Sequence, residues 1–551
     1  MDIDAIEQII ENMGILAMEY KYIKQRWLRR LRPYLGLRAN WSFLMEDPRW
    51  TEALHNAKSG PHVLIATSTG SNWPCSSFES MLGVALTLRG ARVSFLLCDG
   101  ALPACQECDH QWLEPLKLIQ NGPQGDLCRS CFAPAKAMLE STGLPLLRYS
   151  QFINSNADPS DSSMNPELLE HANAGALRYF GRGTLPADDA GTSVLQRYIN
   201  AAQTTADVID TLIQRESPDI AVFHHGIYVP QGAVGHVLRK AGIRIVNWGL
   251  SYRKSTVLFS HGNSYHHTMA DELPEQWADQ NWFSGEEEKI MEYLCSRRSG
   301  GNDWISFQPS AEADIGKFIS DMGLDRSRPI IGLLTNVIWD AQLHFRQAAF
   351  PSMLEWLFAT IEHFIKRPDL QLVIRIHPAE VHGSVPSRQL AADEISQRFG
   401  KLPEHIKVIG PEEKISTYSL MALCNSALVY GTKTALELAC SGLPVVVAGD
   451  AWCRGKGFTI DTSSPEEYQQ ALEALPFARG LTEGQISAAR RYAYHFFFRR
   501  MIPLRSLKSM KHFGPYKVCV GKLEELEPGA DPGLDLICDG ILTGRNFVFQ
   551  P

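Results

Sequence analysis

With 551 residues, the chain is longer than one hydrophobic core normally supports, so two domains plus extensions are expected. Its formal net charge of -8 counts against a protein dedicated to nucleic acid, which would carry a basic surplus. No run approaches the roughly 20 apolar residues that span a bilayer, and the first residues lack the features of a secretory signal. The sequence therefore predicts a cytoplasmic protein.

The chain begins with a predicted helical extension, residues 1–55, that contains one local charge bias. Residues 19–38 carry seven Lys or Arg against a single Glu, interleaved with apolar and aromatic residues. A helix with one basic and one apolar face could lie on the anionic inner face of a membrane. We favour the alternative, a helix packed against its own protein with its charges in solvent.

Residues 56–275 alternate predicted strands and helices in the manner of a parallel sheet. The strands are predicted from short apolar runs at 62–68, 91–98, 219–226 and 243–249. Helical patterns follow or separate them at 78–88, at about 190–215 and in "QGAVGHVLRKAG". We therefore predict a first Rossmann-like domain here.

The same pattern restarts in residues 276–485. Strands are predicted at 328–336, 370–378, 405–410, 426–431 and 444–449, and helices separate most of them. Residues 486–551 are predicted to supply a helix and a tail that cross back to the first domain. The fold class is therefore predicted to be α/β, with two facing Rossmann-like domains and a cleft between them.

Polar residues follow the strands of the second domain, at the edge where open α/β sheets bind ligands. A helix that starts at Lys433 would offer free N–H groups to a phosphate, and a carboxylate one turn later suits ribose hydroxyls. A simple helix cap with a solvated glutamate is the alternative. The candidate donor-binding residues are Asn336, Arg375, His377, Pro378, Gly431, Thr432, Lys433, Thr434 and Glu437.

The motif R-x-H-P, followed by G-T-x-T and then by L-E-L and G-x-P-V-V, resembles GT-B glycosyltransferases of the capsule-polysaccharide group. Related patterns occur in CMP-linked sugar transferases and CDP-glycerol transferases. In those families, HP and Ser/Thr motifs bind the donor nucleotide and its phosphate. The resemblance implies that role for His377, Pro378, Thr432 and Thr434, and less firmly for Glu437.

The resemblance further implies a glycosyltransferase with a nucleotide-sugar donor, for which a CMP-linked acidic sugar is favoured. A surface glycan or glycoprotein would be the acceptor, and transfer would be inverting and independent of a catalytic metal. The alternatives are a nucleotide-sugar 2-epimerase, a CDP-alditol phosphotransferase, or a scaffold without catalysis.

An inverting transferase needs a base that deprotonates the acceptor hydroxyl. The candidates near strand ends of the first, acceptor domain are Asp99, His224 and His225, with His261 and Glu79 behind them. Because adjacent strand residues point to opposite faces, at most one of the paired histidines should face the cleft. Acceptor or phosphate contacts are predicted for Ser71, Asn72, Arg253 and Lys254. The histidines of the loop 261–267 are interpreted as hydrogen-bonding residues rather than metal ligands.

Five of the twelve cysteines fall between residues 98 and 131. Cys105, Cys108, Cys128 and Cys131 form two C-x2-C pairs, which can supply four thiolates to one tetrahedral zinc ion. Cys98 is a substitute for Cys108 in that set. The sequence predicts a structural zinc site in an insertion over residues 98–135, with an iron–sulfur cluster as the alternative.

Overall fold

The computed structural model describes residues 36–123, 125–153, 165–278, 282–298, 301–306, 315–340, 348–510 and 514–551. Of the helical extension predicted for residues 1–55, residues 1–35, which include most of the basic segment 19–38, lie outside the described residues. Within the described ranges, no helix combines the length and apolarity needed to cross a membrane.

The strands are short, and six of those in the described residues are buried along their whole length. In chain order they are β1 (His62–Ser68), β2 (Arg92–Leu97), β3 (Leu146–Arg148), β4 (Ile220–His224), β5 (Arg244–Leu250), β6 (Thr256–His261), β7 (Ile330–Leu334), β8 (Gln371–Arg375), β9 (Ile406–Ile409), β10 (Ser426–Val429), β11 (Val445–Val447), β12 (Ile460–Asp461), β13 (Ile502–Pro503), β14 (Leu507–Ser509) and β15 (Tyr516–Val518).

Helices connect most of these strands. They are α1 (Pro48–Asn56), α2 (Trp73–Leu88), α3 (Pro115–Asn121), α4 (Asp126–Glu140), α5 (Pro166–Phe180), α6 (Asp189–Glu216), α7 (Gln231–Lys240), α8 (Tyr265–Asp271), α9 (Ser284–Arg298), α10 (Ile315–Met322), α11 (Met353–Ile365), α12 (Ala379–His382), α13 (Ala391–Phe399), α14 (Thr417–Met421), α15 (Thr434–Cys440), α16 (Pro465–Glu473), α17 (Glu483–Tyr494) and α18 (Pro532–Thr543).

Two sheets organise the molecule. The first has the order β13-β6-β5-β4-β1-β2-β3, in which β1 to β5 pair in parallel and β6 and β13 are antiparallel. The second has the order β12-β11-β10-β7-β8-β9 and is parallel throughout. The predicted α/β class with parallel sheets is thus confirmed.

Each sheet carries a hydrophobic cluster on both faces, which explains why its strands read as continuous apolar runs. In β1, Val63 and Ile65 enter one cluster, whereas Leu64 and Ala66 enter the cluster on the opposite face. The strands of the second sheet divide in the same way between two further clusters. The carboxyl ends of the strands are therefore the exposed edges that remain for a ligand.

The C-terminal part of the chain connects the two sheets. After α17, a buried π-helical turn over His495–Arg500 leads into β13, which pairs with β6 of the first sheet. The carbonyls of Phe259 and Phe547 accept hydrogen bonds from Arg500, and His495 contacts Glu272 at 2.9 Å. Direct contacts also join the halves, since the Tyr228 hydroxyl donates to Asp340 at 2.9 Å.

Candidate active site

A cleft of about 580 Å³ opens at the carboxyl edge of the second sheet. Its floor is formed by residues that directly follow four strands of that sheet. These are Asn336 after β7, His377 after β8, Thr432 after β10 and Asp450 after β11. The cleft therefore occupies the place where open parallel sheets bind ligands.

Aromatic rings form much of the facing wall. Tyr252 follows β5, His266 lies in α8, and Trp304 belongs to the segment that follows α9. The ring of Trp452 stands 6.2 Å from Tyr252 and 5.6 Å from His266, measured between ring centroids. This wall excludes water from one side of the cleft and offers flat surfaces for stacking.

The loop after β10 is held in place by the end of β7. The Gly431 N–H donates to Oδ1 of Asn336 at 3.2 Å. The hydroxyl of Thr432 accepts from the Thr434 N–H and lies 3.3 Å from the Thr434 hydroxyl. All four of these residues line the cleft. The loop thus presents two hydroxyl groups in a fixed arrangement.

His377 is held by two backbone hydrogen bonds. Its own N–H donates to the Thr335 hydroxyl, and the Ala379 N–H donates to its Nδ1, both at 3.0 Å. Burial lowers the pKa of His377 to about 4, and the charge of Lys433 acts in the same direction. Because Nδ1 is an acceptor, the neutral ring carries its proton on Nε2 and can donate from that atom.

Lys433 brings a cation to the cleft. Its Nζ lies 3.8 Å from a Glu437 oxygen and 4.2 Å from the centroid of the Tyr252 ring. Burial, reinforced by the nearby charge of Arg297, lowers the pKa of Lys433 to about 8. The amine is therefore charged at neutral pH and poorly hydrated, which strengthens its attraction for an anion.

Glu437 belongs to a buried charge network beneath the cleft. One of its oxygens accepts from Arg297 Nε at 3.2 Å and from the Tyr418 hydroxyl at 2.5 Å. Burial disfavours its charge, but Arg297 and Lys433 outweigh burial and hold the pKa of Glu437 below its usual range. The predicted ribose contact of Glu437 is therefore corrected, because this carboxylate is 4% exposed and paired with protein groups.

Arg375 also lies at the cleft, where loop carbonyls engage its guanidinium. Its guanidinium donates to the carbonyls of Gly410, Glu413 and Ile415 and so fixes the loop that follows β9. Arg375 is 2% exposed but still belongs to the lining of the cleft, so its contact with a donor phosphate stays a prediction.

The paired histidines at the end of β4 diverge. His224 packs on the Trp248 ring and its Nε2 lies 3.5 Å from the Cys75 sulfur, inside the first domain. His225 turns the other way, and its ring stands 5.7 Å from the cleft residue His266. His224 is therefore not in a position to serve as the base.

The other candidates for base and acceptor contacts lie away from the cleft lining in the described part of the chain. Asp99 accepts from the Ser150 N–H at 3.2 Å, and Ser71 donates to Glu107. Asn72 precedes α2 and accepts the Ser76 N–H on its carbonyl. These residues thus stabilise the loops that follow β1 and β2 of the first sheet.

Arg253 and Lys254 are also corrected. Arg253 donates to the Phe497 carbonyl at 2.8 Å and lies 4.3 Å from the Phe498 ring centroid. Lys254 donates to the Gly301 carbonyl at 2.7 Å. Both residues anchor the segments that join the two sheets.

The cysteine window surrounds the end of β2 and the start of α4. Burial, and then the neighbouring Cys105, raises the pKa of Cys98 to about 11, and Cys128 is raised to about 12 by burial, Cys105 and Cys98. Cys131 accepts the Gly70 N–H at 3.1 Å. Among the described residues, no group of three or more ligands is arranged to hold a metal ion. The zinc site and its iron–sulfur alternative stay predictions.

Sequence reasoning missed Arg297, Asp303 and the roles of Tyr252 and Trp452. These residues lie in irregular segments or on a helix that carries no recognisable motif. The spacing of apolar residues in the sequence therefore does not indicate that they reach the cleft. Tyr252 directly precedes Arg253 and Lys254. In the sequence analysis, the anion contact is predicted for these two basic residues and no role is predicted for Tyr252.

No protein-family model matches the chain, and no curated protein matches it significantly. The β-Kdo 2,4-transferase KpsC of Thermosulfurimonas dismutans matches at 14% identity and a TM-score of 0.33, over 50% of this chain and 80% of its own. The UDP-GlcNAc 2-epimerase of Methanocaldococcus jannaschii matches at 10% identity and a TM-score of 0.26. The match covers 78% of this chain and 98% of the epimerase chain.

The calicheamicin glycosyltransferase CalG4 matches at 11% identity and a TM-score of 0.24, over 79% of this chain and 94% of its own. These proteins resemble the chain in their α/β architecture, and both the sequence identities and the TM-scores are low. The resemblance to capsule-type transferases therefore continues to rest on the sequence motifs.

Proposed function

We propose that this chain is a glycosyltransferase that takes a sugar from a nucleotide-activated donor and passes it to a glycan or glycoprotein acceptor. The observation that supports this most is the meeting of Lys433, His377 and Thr432 in one cleft at the carboxyl edge of a parallel sheet. A cation, an Nε2–H donor and a hydroxyl group are suited to an anionic leaving group.

In this proposal the donor phosphate lies against these three side chains. The acceptor oxygen attacks the anomeric carbon as the bond from that carbon to the phosphate oxygen breaks. The electron pair of the broken bond stays on the phosphate, where Lys433 and the Nε2–H of His377 stabilise it. No metal ion is needed for that step if these groups neutralise the leaving charge.

The donor is proposed to be a CMP-linked acidic sugar. This finer assignment is supported by the R-x-H-P and G-T-x-T motifs and their resemblance to capsule-type transferases. His377 and Thr432, which carry the resemblance, both line the cleft.

A nucleotide-binding panel tests the donor site. Stabilisation against heat by CMP, CDP, UDP and GDP is compared for the wild type, Lys433→Met and Lys366→Met. Lys366 is an exposed lysine at the end of α11 and serves as the matched control. Loss of one charge-assisted contact should weaken nucleotide binding by about tenfold to a hundredfold in Lys433→Met alone.

The outcomes separate the alternatives. Stabilisation by UDP alone would contradict a CMP-linked donor and favour the 2-epimerase. Stabilisation by CDP with turnover of a CDP-alditol would favour the phosphotransferase. No response to any nucleotide would leave the scaffold as the better account.

A further inference from the structure

His266 lies on the wall of the cleft that faces the donor loop, and its ring is tightly packed. The ring centroid stands 4.1 Å from Tyr265, 5.6 Å from Trp452 and 5.7 Å from His225. Its Nε2 is buried and has no hydrogen-bond partner among the described residues. A buried imidazole nitrogen without a hydrogen-bond partner destabilises the folded state. A role of this nitrogen in binding or in chemistry would explain why His266 is present here.

His225 stands behind His266 in a strained conformation. Its φ of 63° is left-handed, which is rare for a bulky residue and concentrates at functional sites. Its Nδ1 is also buried without a hydrogen-bond partner in the described part of the chain. The Tyr228 ring stacks on it at 5.3 Å, and the Tyr228 hydroxyl reaches Asp340 in the cleft.

Burial keeps both histidine rings neutral. His266 is faced by His225 and His267, and burial together with these neighbours holds the pKa of His266 well below its usual range. His225 is faced by Asp340 and Arg178, and burial lowers its pKa to about 4. A neutral imidazole with an unoccupied nitrogen can accept a proton at neutral pH.

We propose that His266 is the general base of the transfer reaction and that His225 is a positioning residue behind it. This inference rests on the proposed function. The acceptor hydroxyl gives its proton to an imidazole nitrogen of His266 while its oxygen forms the bond to the anomeric carbon. The bond to the donor phosphate breaks, and the nucleotide leaves with the electron pair on its phosphate.

Two features favour His266 over the other candidate bases. It lines the same cleft as Lys433 and His377. The Asp99 carboxylate accepts from Ser150 and His224 contacts Cys75, so both are engaged elsewhere in the first domain. An anionic donor in the cleft would also raise the pKa of His266 toward the range in which a base works best.

The test uses release of CMP from CMP-N-acetylneuraminate and CMP-Kdo, with water as the acceptor. His266→Asn is compared with His267→Asn, the adjacent histidine whose Nδ1 lies 2.7 Å from the Ser264 hydroxyl. His266→Asn should release CMP about 10²–10⁴-fold more slowly and lose the low-pH limb of the rate profile. CMP binding should be unchanged, which shows that this variant is folded.

His225→Asn should slow CMP release less than His266→Asn does and should keep the low-pH limb, because it removes a ring that packs against the base and not the base itself. His267→Asn should behave as the wild type. If His266→Asn binds CMP and releases it at the wild-type rate, the base assignment is wrong while the proposed function stands. If the wild type binds CMP but turns over neither donor, the CMP-linked donor and the base assignment fall together.

Discussion

Nε of Arg297 lies 3.2 Å from a carboxylate oxygen of Glu437, beneath the floor of the cleft. The same guanidinium pairs with Asp303, so one cation serves two buried carboxylates. This arrangement keeps Glu437 ionised beside Lys433 and sets the charge of the cleft. Arg297 comes from α9 and Glu437 from α15, so the network also joins these two helices.

Removing Arg297 should therefore destabilise the protein strongly. Arg297→Met leaves two carboxylates uncompensated and should lower the free energy of unfolding by about 3–5 kcal/mol, measured by urea denaturation. Arg398→Met, which breaks the exposed pair with Glu362, should change it by less than about 1 kcal/mol. Equal losses in both variants would mean that the network does not stabilise the fold.

The affinity for nucleotide should depend on pH through Lys433. Its pKa of about 8 lies below the ordinary lysine value, so its charge is present below pH 8 and lost as pH rises through that value. CMP affinity measured by calorimetry should fall about fivefold between pH 8 and pH 9. Lys433→Met should bind weakly at both values, and a wild type insensitive to pH would contradict a contact between this amine and the phosphate.

Glu79 should make the protein less stable at neutral pH than at pH 4. Burial raises the pKa of Glu79 to about 7 even though its carboxylate accepts from Trp248 Nε1 at 2.9 Å. Its folded pKa exceeds the unfolded value near 4.5, so stability is full below that value and falls as pH rises toward 7. Glu79→Gln should raise the free energy of unfolding by about 1–3 kcal/mol at pH 8 and by little at pH 4.

The exposed Glu466 supplies the control for that comparison. Glu466→Gln should shift stability equally at both pH values. If Glu79→Gln is destabilising at pH 8, the Glu79 side chain must be stable in its ionised form, and the assigned pKa direction is wrong.

Metal content tests the cysteine prediction directly. Elemental analysis of the purified chain should find about one zinc per molecule, as for two C-x2-C pairs that share a tetrahedral ion. Cys105→Ser or Cys128→Ser should release zinc, and a comparison of Cys108→Ser with Cys98→Ser identifies the fourth ligand, since Cys98 is the possible substitute for Cys108. Iron in place of zinc would indicate a cluster, and a metal-free wild type would refute the site.

Much of the fold could be predicted because buried parallel strands are continuous apolar runs between helices. Nine such strands were predicted, and the bounds of β1, β5 and β8 illustrate how closely the structure follows them. β6 was missed because it pairs with β5 in an antiparallel hairpin, which breaks the alternation of strand and helix. β13 was missed because a strand of two residues is too short to show a pattern of apolar residues in the sequence.

The site was harder to predict than the fold. His377 and Thr432 follow strands, so their position at the cleft comes from topology alone. Arg375 also ends a strand, but sequence could not show that loop carbonyls engage its charge. His266 was noticed only as part of a histidine-rich loop, because its contacts with Trp452 and His225 join distant segments.

Turnover of a donor panel tests the central claim most directly. Wild type and Lys433→Met are incubated with CMP-, CDP-, UDP- and GDP-linked sugars, and free nucleotide and sugar products are measured by mass spectrometry. We predict that the wild type releases CMP from a CMP-linked acidic sugar and that Lys433→Met does so far more slowly. No release from any donor, or an epimerised sugar still attached to its nucleotide, would contradict a glycosyltransferase.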